Sequence, residues 1–257
     1  MLGAIIGDII GSYYEWRPTK SKDFNLFPEG ASFTDDTVMT VAVADAILNN
    51  RDYGESMQEW GRRYPNAGFG RGFKKWLKQD NPTPYNSYGN GSAMRVSPIG
   101  WAFDSIDEVL EQARLSAIVS HDHPEGIKGA QAVALSVYMA RKGFAKKDIK
   151  AEIISRLGYD LNRSLNDIRS VYKFEVSCQK SVPEAIISFL ESSDFEDAIR
   201  NAISLGGDSD TQACIAGAIG EAYYKAIPEH MVTRSIMYID ISLNNALQVF
   251  LRTFGES

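Results

Sequence analysis

The sequence predicts an all-α fold, organised as one compact multi-helix domain over residues 1–257. Apolar residues recur at helical spacing along most of the chain, and helix start and stop signals delimit these stretches. Alternating strand patterns are scarce, and the best candidate, KFEVSC at residues 173–178, fits an extended segment equally well. With 44% hydrophobic and 23% charged residues, the composition is typical of a globular protein with a sizeable core.

The first predicted helices have recognisable ends. One begins in the sequence TDDTVMTVAVADAILNN and stops at Asn49 and Asn50. Another begins at Ser105, and Glu108 follows three residues later, which is the pattern of a capping box. The first stretch carries Val38, Val41, Ala42 and Ala46 at roughly helical spacing.

Four further helices are predicted downstream. The stretch EGIKGAQAVALSVYMARKG stops at Gly143, and SVPEAIISFLESS places Pro183 near a helix start, where its missing N–H costs nothing. The stretch DFEDAIRNAISL stops at Gly206 and Gly207, as a helix end should. The last strongly periodic stretch is IDISLNNALQVFLRTF.

Charge, cysteine usage and the N-terminal stretch exclude several classes of protein. The stretch MLGAIIGDIIGSYYEW lacks a basic region and is interrupted by Asp8 and Glu15, so no signal peptide is expected. No run of about 18 apolar residues occurs, so we expect no membrane span and a cytoplasmic location. The net charge of -6 argues against general affinity for nucleic acid or anionic membranes. The two cysteines, Cys178 and Cys214, fit neither a disulfide framework nor a zinc site, and Cys214 is expected in the core.

The least helical region lies between about Tyr64 and Gly100. Its glycines are Gly68, Gly70, Gly72, Gly89 and Gly91. A long irregular region inside a compact domain is more often functional than structural. Its first part, RRYPNAGFGRGFKKWLK, is basic and aromatic, and in an acidic chain we interpret it as the rim of a pocket for an anionic nucleotide.

Two acidic clusters stand immediately before apolar helices. The first is the sequence Thr34-Asp35-Asp36-Thr37, and the second contains Asp208, Asp210 and Thr211 directly after two glycines. Each cluster alone could be an ordinary helix cap. A cap needs only one acceptor, however, and each cluster supplies two carboxylates, which would repel one another unless cations lay between them.

The spacing within the second cluster is informative. On a regular helix Asp208 and Asp210 would point about 200° apart, whereas after Gly206 and Gly207 the backbone can turn both toward one point. Carboxylate and hydroxyl oxygens suit a hard cation such as Mg²⁺ or Mn²⁺, and two clusters could hold two ions roughly 3.5–4 Å apart. The small residues of CIAGAIG are expected to let this helix lie close to the helix that follows Thr34.

Five ordered motifs make the chain similar to the ADP-ribosylglycohydrolase family, which includes the dinitrogenase reductase-activating glycohydrolase and the eukaryotic ADP-ribosyl-acceptor hydrolases. The motifs are GAIIGDIIGSYYE, FTDDTVMT, SYGNGSAMRVSPIG, SHDHPEGIKGA and GGDSDTQACIAGAIG. The resemblance covers nearly the whole chain. It implies a compact all-α domain with a binuclear magnesium centre, and hydrolysis of the bond between ADP-ribose and an acceptor.

The resemblance also implies roles for individual residues. The implied metal ligands are Thr34, Asp35, Asp36, Asp208, Asp210 and Thr211. The implied catalytic groups are Glu15 and the aspartates of the first cluster, Asp35 and Asp36, one of which would assist proton transfer. The implied contacts to ADP-ribose are Gly68, Phe69, Ser87, Tyr88, Gly89, Asn90, Met94 and His121. The chain departs from the family pattern at Ser120, usually threonine, and at Glu221 and Lys225, where glycine is frequent.

Several alternatives stay open at this point. The expected partner is ADP-ribose or an ADP-ribosylated protein, with nucleic acid only as an ADP-ribosylated substrate and no membrane. The site could instead hydrolyse another ADP-ribose derivative or a phosphoester, or the chain could be a binding protein without activity. Tyr88 could pack in the core, and His123 could be structural. The acceptor, arginine, serine or another group, is not fixed by the sequence.

Overall fold

The computed structural model describes residues 1–255. Most of these residues are helical, as the periodicity of the sequence predicts. These residues form fifteen α-helices: α1 Leu2–Glu15, α2 Asp35–Leu48, α3 Tyr53–Arg63, α4 Arg71–Leu77, α5 Gly91–Met94, α6 Ser97–Ala102, α7 Ile106–Ile118, α8 Pro124–Arg141, α9 Lys146–Leu157, α10 Leu165–Val171, α11 Cys178–Leu190, α12 Phe195–Ile203, α13 Ser209–Tyr224, α14 Glu229–Ile236 and α15 Ile241–Phe254. The KFEVSC segment forms no strand: Ser177 makes one isolated antiparallel bridge with Gly89, and Cys178 already begins α11. The all-α prediction is confirmed.

Helices α1 and α13 form the closest helix pair and run antiparallel at the centre of the fold. Gly3, Gly7 and Gly11 follow one another at every fourth position of α1, so they form a stripe along one face. A Cβ atom on any of them would overlap the backbone of α13, at Gly217, Ala213 and Ser209 respectively. This pairing brings the end of α1, with Glu15, beside the start of α13, with Asp208 and Asp210.

The expected partner of the small residues in α13 was therefore wrong. They were expected to bring this helix close to α2, but α13 packs far more extensively against α1 and then against α12 and α11. The physical reason is the glycine stripe, because only α1 presents a face without side chains to which the backbone of α13 can approach.

We expect Gly7→Ala to lower the free energy of unfolding by about 1–3 kcal/mol, because the added methyl group overlaps the Ala213 carbonyl and must push the helices apart. Gly220→Ala is the matched control, since its Cβ atom would meet Phe195 and Ala198 at ordinary distances of 3.5 and 3.6 Å. Helix propensity makes the control neutral or stabilising. Denaturant unfolding of both variants measures the difference, and equal stabilities would contradict the close packing of α1 on α13.

Helix ends agree with the sequence at some positions and differ at others. Ser105 begins its helix as predicted, with its hydroxyl accepting a hydrogen bond from the Glu108 N–H at 3.2 Å. The prediction for Pro183 was wrong, because α11 already begins at Cys178 and Pro183 lies inside the helix. The buried Cys178 and Val182 anchor this first part against the core, which outweighs the hydrogen bond that proline cannot donate.

The core also accounts for the two cysteines and for one departure from the family pattern. Cys178 and Cys214 are both buried free thiols, as expected for Cys214. The Glu221 carboxylate lies at the start of α1, where it accepts hydrogen bonds from the Gly3 N–H at 2.8 Å and from the Met1 amine at 2.6 Å. A carboxylate at this end of a helix interacts favourably with the helix dipole.

Among residues 1–255, no helix is long and apolar enough to cross a membrane.

Candidate active site

A cavity of about 350 Å³ collects residues from distant parts of the chain. The sequence-predicted residues that line it are Glu15, Thr34, Asp35, Asp36, Gly68, Ser87, Gly89, Asn90, Met94, His121, Asp208, Asp210 and Thr211. All five glycines of the region between Tyr64 and Gly100 line its walls, including Gly72 in the first turn of α4. The region is less irregular than predicted, since it contains α4, α5 and most of α6.

The acidic residues lie at helix ends that converge on the cavity. Thr34 precedes α2 and its hydroxyl accepts a hydrogen bond from the Asp36 N–H at 3.2 Å, so it is also an N-cap. Asp208 precedes α13, but its side chain makes no capping bond. Its carboxylate instead accepts a hydrogen bond from the Asn90 side-chain amide at 2.7 Å. The cap interpretation therefore holds for the first cluster and fails for Asp208.

The two clusters meet inside the cavity. The Thr211 hydroxyl donates a hydrogen bond to Asp36 Oδ1 at 3.3 Å, although the two residues lie 175 positions apart. The other oxygen of this carboxylate, Asp36 Oδ2, is buried and has no hydrogen-bond partner among the described residues. A buried carboxylate oxygen without a donor is costly, so this atom indicates a position for a missing positive charge or donor.

The carboxylates lie close enough to share a ligand. Glu15, Asp208 and Asp210 each offer one oxygen, and these oxygens all lie within 4.8 Å of one another. The structure thus adds Glu15 to the groups within reach of a cation, in addition to the acid/base role that the family resemblance implied for it.

Burial and mutual repulsion disfavour ionisation across this cluster. Burial, followed by the charge of Asp210, raises the pKa of Glu15 to about 7. The same two causes, in the same order, raise the pKa values of three further carboxyl groups, those of Asp35, Asp36 and Asp208. Burial also raises the pKa of Asp210 itself. A set of oxygen donors with excess negative charge and one partnerless oxygen fits a divalent hard cation.

Asp8 is a site residue that sequence reasoning missed. Its fully buried carboxylate accepts four hydrogen bonds, from the N–H and hydroxyl groups of Thr34 at 2.9 and 2.7 Å and of Thr37 at 3.1 and 2.5 Å. It thereby fixes the start of α2 and the direction of the first cluster. Burial, then the charge of Asp210, raises its pKa to about 7. The sequence signal for Asp8 is that it is the lone charged residue of the apolar stretch GAIIGDIIG.

Glycine is required where the backbone passes the carboxylates. Gly68 has a φ of 108°, a conformation that other residues rarely adopt. A Cβ atom there would lie 3.1 Å from Asp35 Oδ1, so a side chain would also crowd the cluster. The wall opposite Asp35 is therefore kept open by backbone geometry.

Two predicted contact residues do not have their side chains in the cavity. Phe69 is 2% exposed and stacks on Phe73, which itself lines the cavity, with ring centroids 5.4 Å apart. Tyr88 is 51% exposed and packs edge-on against His123 on the outside. His123 caps α8, its Nδ1 atom accepting a hydrogen bond from the Glu125 N–H at 3.1 Å, which supports the structural interpretation of this histidine.

Aromatic and basic side chains also line the cavity. Lining residues that the sequence did not predict include Phe73, Tyr85, Arg95, Phe174 and Val176. Arg95 directly follows the predicted contact Met94 in the sequence, and this was the only signal available for it. The cavity thus combines the two acidic clusters with a buried arginine that supplies positive charge.

A cavity of about 350 Å³ with convergent polar groups in its walls is typical of a binding site for a small molecule. The model of a protein family described as ADP-ribosylglycohydrolase matches residues 1–247. The ADP-ribosylhydrolase ARH3 of Homo sapiens is 32% identical, over 87% of this chain and 84% of that protein. The ADP-ribosylarginine hydrolase Tri1 of Pseudomonas putida (strain GB-1) is 26% identical, over 87% of this chain and 69% of that protein.

The fold is shared with a solved structure described as an ADP-ribosylglycohydrolase-related protein complex. The TM-score is 0.75 at 23% sequence identity, and the match covers 99% of this chain and 97% of the other. The chain belongs to the ADP-ribosylglycohydrolase family. It is accordingly an enzyme, an ADP-ribosyl hydrolase.

Proposed function

We propose that the protein is a magnesium-dependent hydrolase that cleaves the glycosidic bond between ADP-ribose and a protein side chain, and so reverses ADP-ribosylation. The single observation that supports this best is that two carboxylate clusters far apart in the sequence converge in one cavity, where Asp36 Oδ2 has no hydrogen-bond partner among residues 1–255. Arginine and serine are the acceptors to test first, and the name of the Pseudomonas putida relative refers to the former.

The proposed ligands of two Mg²⁺ ions, or of Mn²⁺, are the oxygen donors of both clusters: Thr34, Asp35, Asp36, Asp208, Asp210 and Thr211. When bound, such ions neutralise the excess charge of the carboxylates and act as Lewis acids toward oxygen atoms. Asp8 holds Thr34 in place, and Asn90 orients Asp208 through the amide hydrogen bond. The protein thus preorganises both clusters before any substrate binds.

Glu15 is the proposed acid/base group. Cleavage of a glycosidic bond needs a proton moved near the anomeric carbon, and a group serves best when its pKa lies near the working pH. Burial and the neighbouring Asp210 raise the pKa of Glu15 to about 7, so its carboxyl group can hold or release a proton at neutral pH. The glycines of the opposite wall allow the ligand to approach the backbone closely.

The experiment that tests the proposed activity is an acceptor panel. Purified protein is incubated in Mg²⁺ with arginine-linked, serine-linked and nucleic-acid-linked ADP-ribose and with a simple phosphoester, and free ADP-ribose is measured by chromatography. We expect release from at least one protein linkage. Release of phosphate from the phosphoester alone would replace the proposal with phosphoester hydrolysis, and binding without turnover on every substrate would replace it with a binding function.

Glu15→Gln is expected to lower kcat by about 10²-fold or more at saturating Mg²⁺, because the variant keeps the shape of the side chain but cannot transfer a proton. A limb of the pH–rate profile that belongs to the Glu15 carboxyl group should disappear with it. Glu29→Gln, at an exposed carboxylate, is the control. If saturating Mg²⁺ restores wild-type kcat to Glu15→Gln, the residue is a metal ligand and not the acid/base group.

A further inference from the structure

Arg95 is a buried cation in the wall of the cavity. The residue is 1% exposed, and no carboxylate of residues 1–255 forms a salt bridge with it. One guanidinium nitrogen, Nη2, donates hydrogen bonds to the Ser116 carbonyl at 2.6 Å and to the Ser120 hydroxyl oxygen at 3.2 Å. Because no carboxylate of the described residues pairs with it, Arg95 adds positive charge to the cavity wall beside Ser120 and His121.

The hydrogen bond from Arg95 determines whether the Ser120 hydroxyl donates or accepts in its contact with His121. A guanidinium group can only donate, so the Ser120 oxygen must be the acceptor and its own proton remains available. The other partner of this hydroxyl is His121 Nδ1, at 2.8 Å, and the described part of the chain offers the hydroxyl no carbonyl acceptor. Ser120 is fully buried, so a proton without an acceptor would be costly. Ser120 therefore donates to Nδ1.

A histidine that accepts at Nδ1 carries its proton on Nε2. This neutral form is consistent with the surroundings, because burial, and then the positive charge of Arg95, lowers the pKa of His121 well below its usual value. The Nε2 atom lies beside the glycine turn, where a Cβ atom at Gly91 would be 3.3 Å away and one at Gly89 would be 3.7 Å away. Nε2 makes no hydrogen bond with a described residue, and His121 lines the cavity.

We infer that Arg95 and Ser120 are positioning residues that fix His121 as a neutral imidazole with its Nε2–H directed at an acceptor atom of the ligand. The charge of Arg95 favours an oxygen of an anionic group, and in ADP-ribose this is a phosphate oxygen. The identity of the ligand rests on the proposed function, whereas the arrangement of protons among Arg95, Ser120 and His121 does not. The alternative arrangement, with the proton on Nδ1, would turn Nε2 into an acceptor that repels the same oxygen.

The tautomer can be measured in the ligand-free protein. The chain has three histidines, so long-range ¹H–¹⁵N spectra of ¹⁵N-histidine-labelled protein are simple, and His123→Asn and His230→Asn assign the remaining signal. We expect the Nε2–H form of His121 in the wild type and in Ser120→Thr, which keeps the hydroxyl. Ser120→Ala should lose this preference. A proton on Nδ1 in the wild type, or an unchanged tautomer in Ser120→Ala, would overturn the inference.

Ser116→Ala is the matched control for these spectra and for binding. Its hydroxyl is equally buried and, within the described part of the chain, donates a hydrogen bond to the Ala113 carbonyl alone, while the carbonyl that holds Arg95 is retained. Calorimetry with ADP-ribose is expected to show about tenfold weaker binding for Ser120→Ala, the effect of one poorly aligned hydrogen bond, and wild-type affinity for Ser120→Thr and Ser116→Ala. Equal weakening in Ser116→Ala and Ser120→Ala would reduce Ser120 to a packing role. If the wild type binds no ADP-ribose, the proposed function fails. The tautomer of His121 in the ligand-free protein then still tests the positioning roles of Arg95 and Ser120.

Discussion

Asp36→Asn and Asp210→Asn are each expected to lower kcat/KM at least about 100-fold. Both changes keep the size of the side chain and remove one negative charge from the group that would hold the cations. Losing a residue that merely supports a metal ligand typically costs 10–100-fold, so losing a ligand should cost more. The measurement is the rate of ADP-ribose release from the substrate that the acceptor panel identifies, at saturating Mg²⁺.

The same variants are expected to fold at least as stably as the wild type without metal. Burial, and then the charge of Asp210, raises the pKa of Asp36, so ionisation of this carboxyl group opposes folding. The uncharged asparagine side chain avoids that cost. Thermal unfolding in EDTA checks this, with Asp107→Asn, at an exposed position of α7, as the control for both assays. If either cluster variant kept wild-type turnover, its assignment as a metal ligand would be wrong.

Binding of Mg²⁺ is expected to release protons and to weaken as the pH falls below about 7. The pKa of Glu15 is raised to about 7, and those of Asp36 and Asp208 lie well above their usual value near 4. Part of the cluster is therefore protonated at neutral pH in the metal-free protein, and a cation must displace those protons. Calorimetric titrations with Mg²⁺ in two buffers of different ionisation enthalpy count the protons released.

The stability of the protein should show the opposite pH dependence with and without metal. In EDTA the raised pKa values mean that the folded state binds more protons than the unfolded state, so stability falls as the pH rises from about 4 through about 7. With Mg²⁺ at about 100 times its dissociation constant, the folded state gains about 2.7 kcal/mol at pH 8, where the carboxylates are ionised. Melting temperatures at pH 5 and pH 8, measured in EDTA and in Mg²⁺, test both the loss of stability with rising pH in EDTA and the gain from Mg²⁺ at pH 8.

Asp210→Asn is the control for these titrations, because it should release fewer protons and gain less stability from Mg²⁺. Addition of Na⁺ at equal ionic strength separates specific binding from screening. A melting temperature that Mg²⁺ leaves unchanged at pH 8 would contradict a divalent cation site in this cluster.

The two acidic clusters could be predicted from the sequence because their signal is local. Asp35 and Asp36, like Asp208 and Asp210, place more carboxylates at a helix start than a cap requires, and the structure brings the two pairs into one cavity. The glycines between Tyr64 and Gly100 indicated a ligand-binding wall for the same reason. A glycine-rich, irregular segment can be recognised from the sequence without knowing which helices meet.

The unpredicted features depend on which helices meet. Asp8 supports the first cluster only because α1 passes beside the start of α2, and nothing in its own helix shows this. The glycine stripe at Gly3, Gly7 and Gly11 selects α1 as the partner of α13, although the sequence alone favoured α2. Phe69 and Tyr88 belong to segments that were predicted to lie near the ligand. The directions of their side chains, toward Phe73 and His123, could not be predicted from the sequence.

The central claim is that the converging carboxylates form a metal-dependent hydrolytic centre. The most direct measurement is the rate of ADP-ribose release by one protein preparation, first as purified, then after EDTA, and finally after Mg²⁺ is restored. The account predicts that EDTA abolishes release, that Mg²⁺ restores it in the wild type, and that Asp36→Asn stays inactive throughout. Release that continues unchanged in excess EDTA would contradict it.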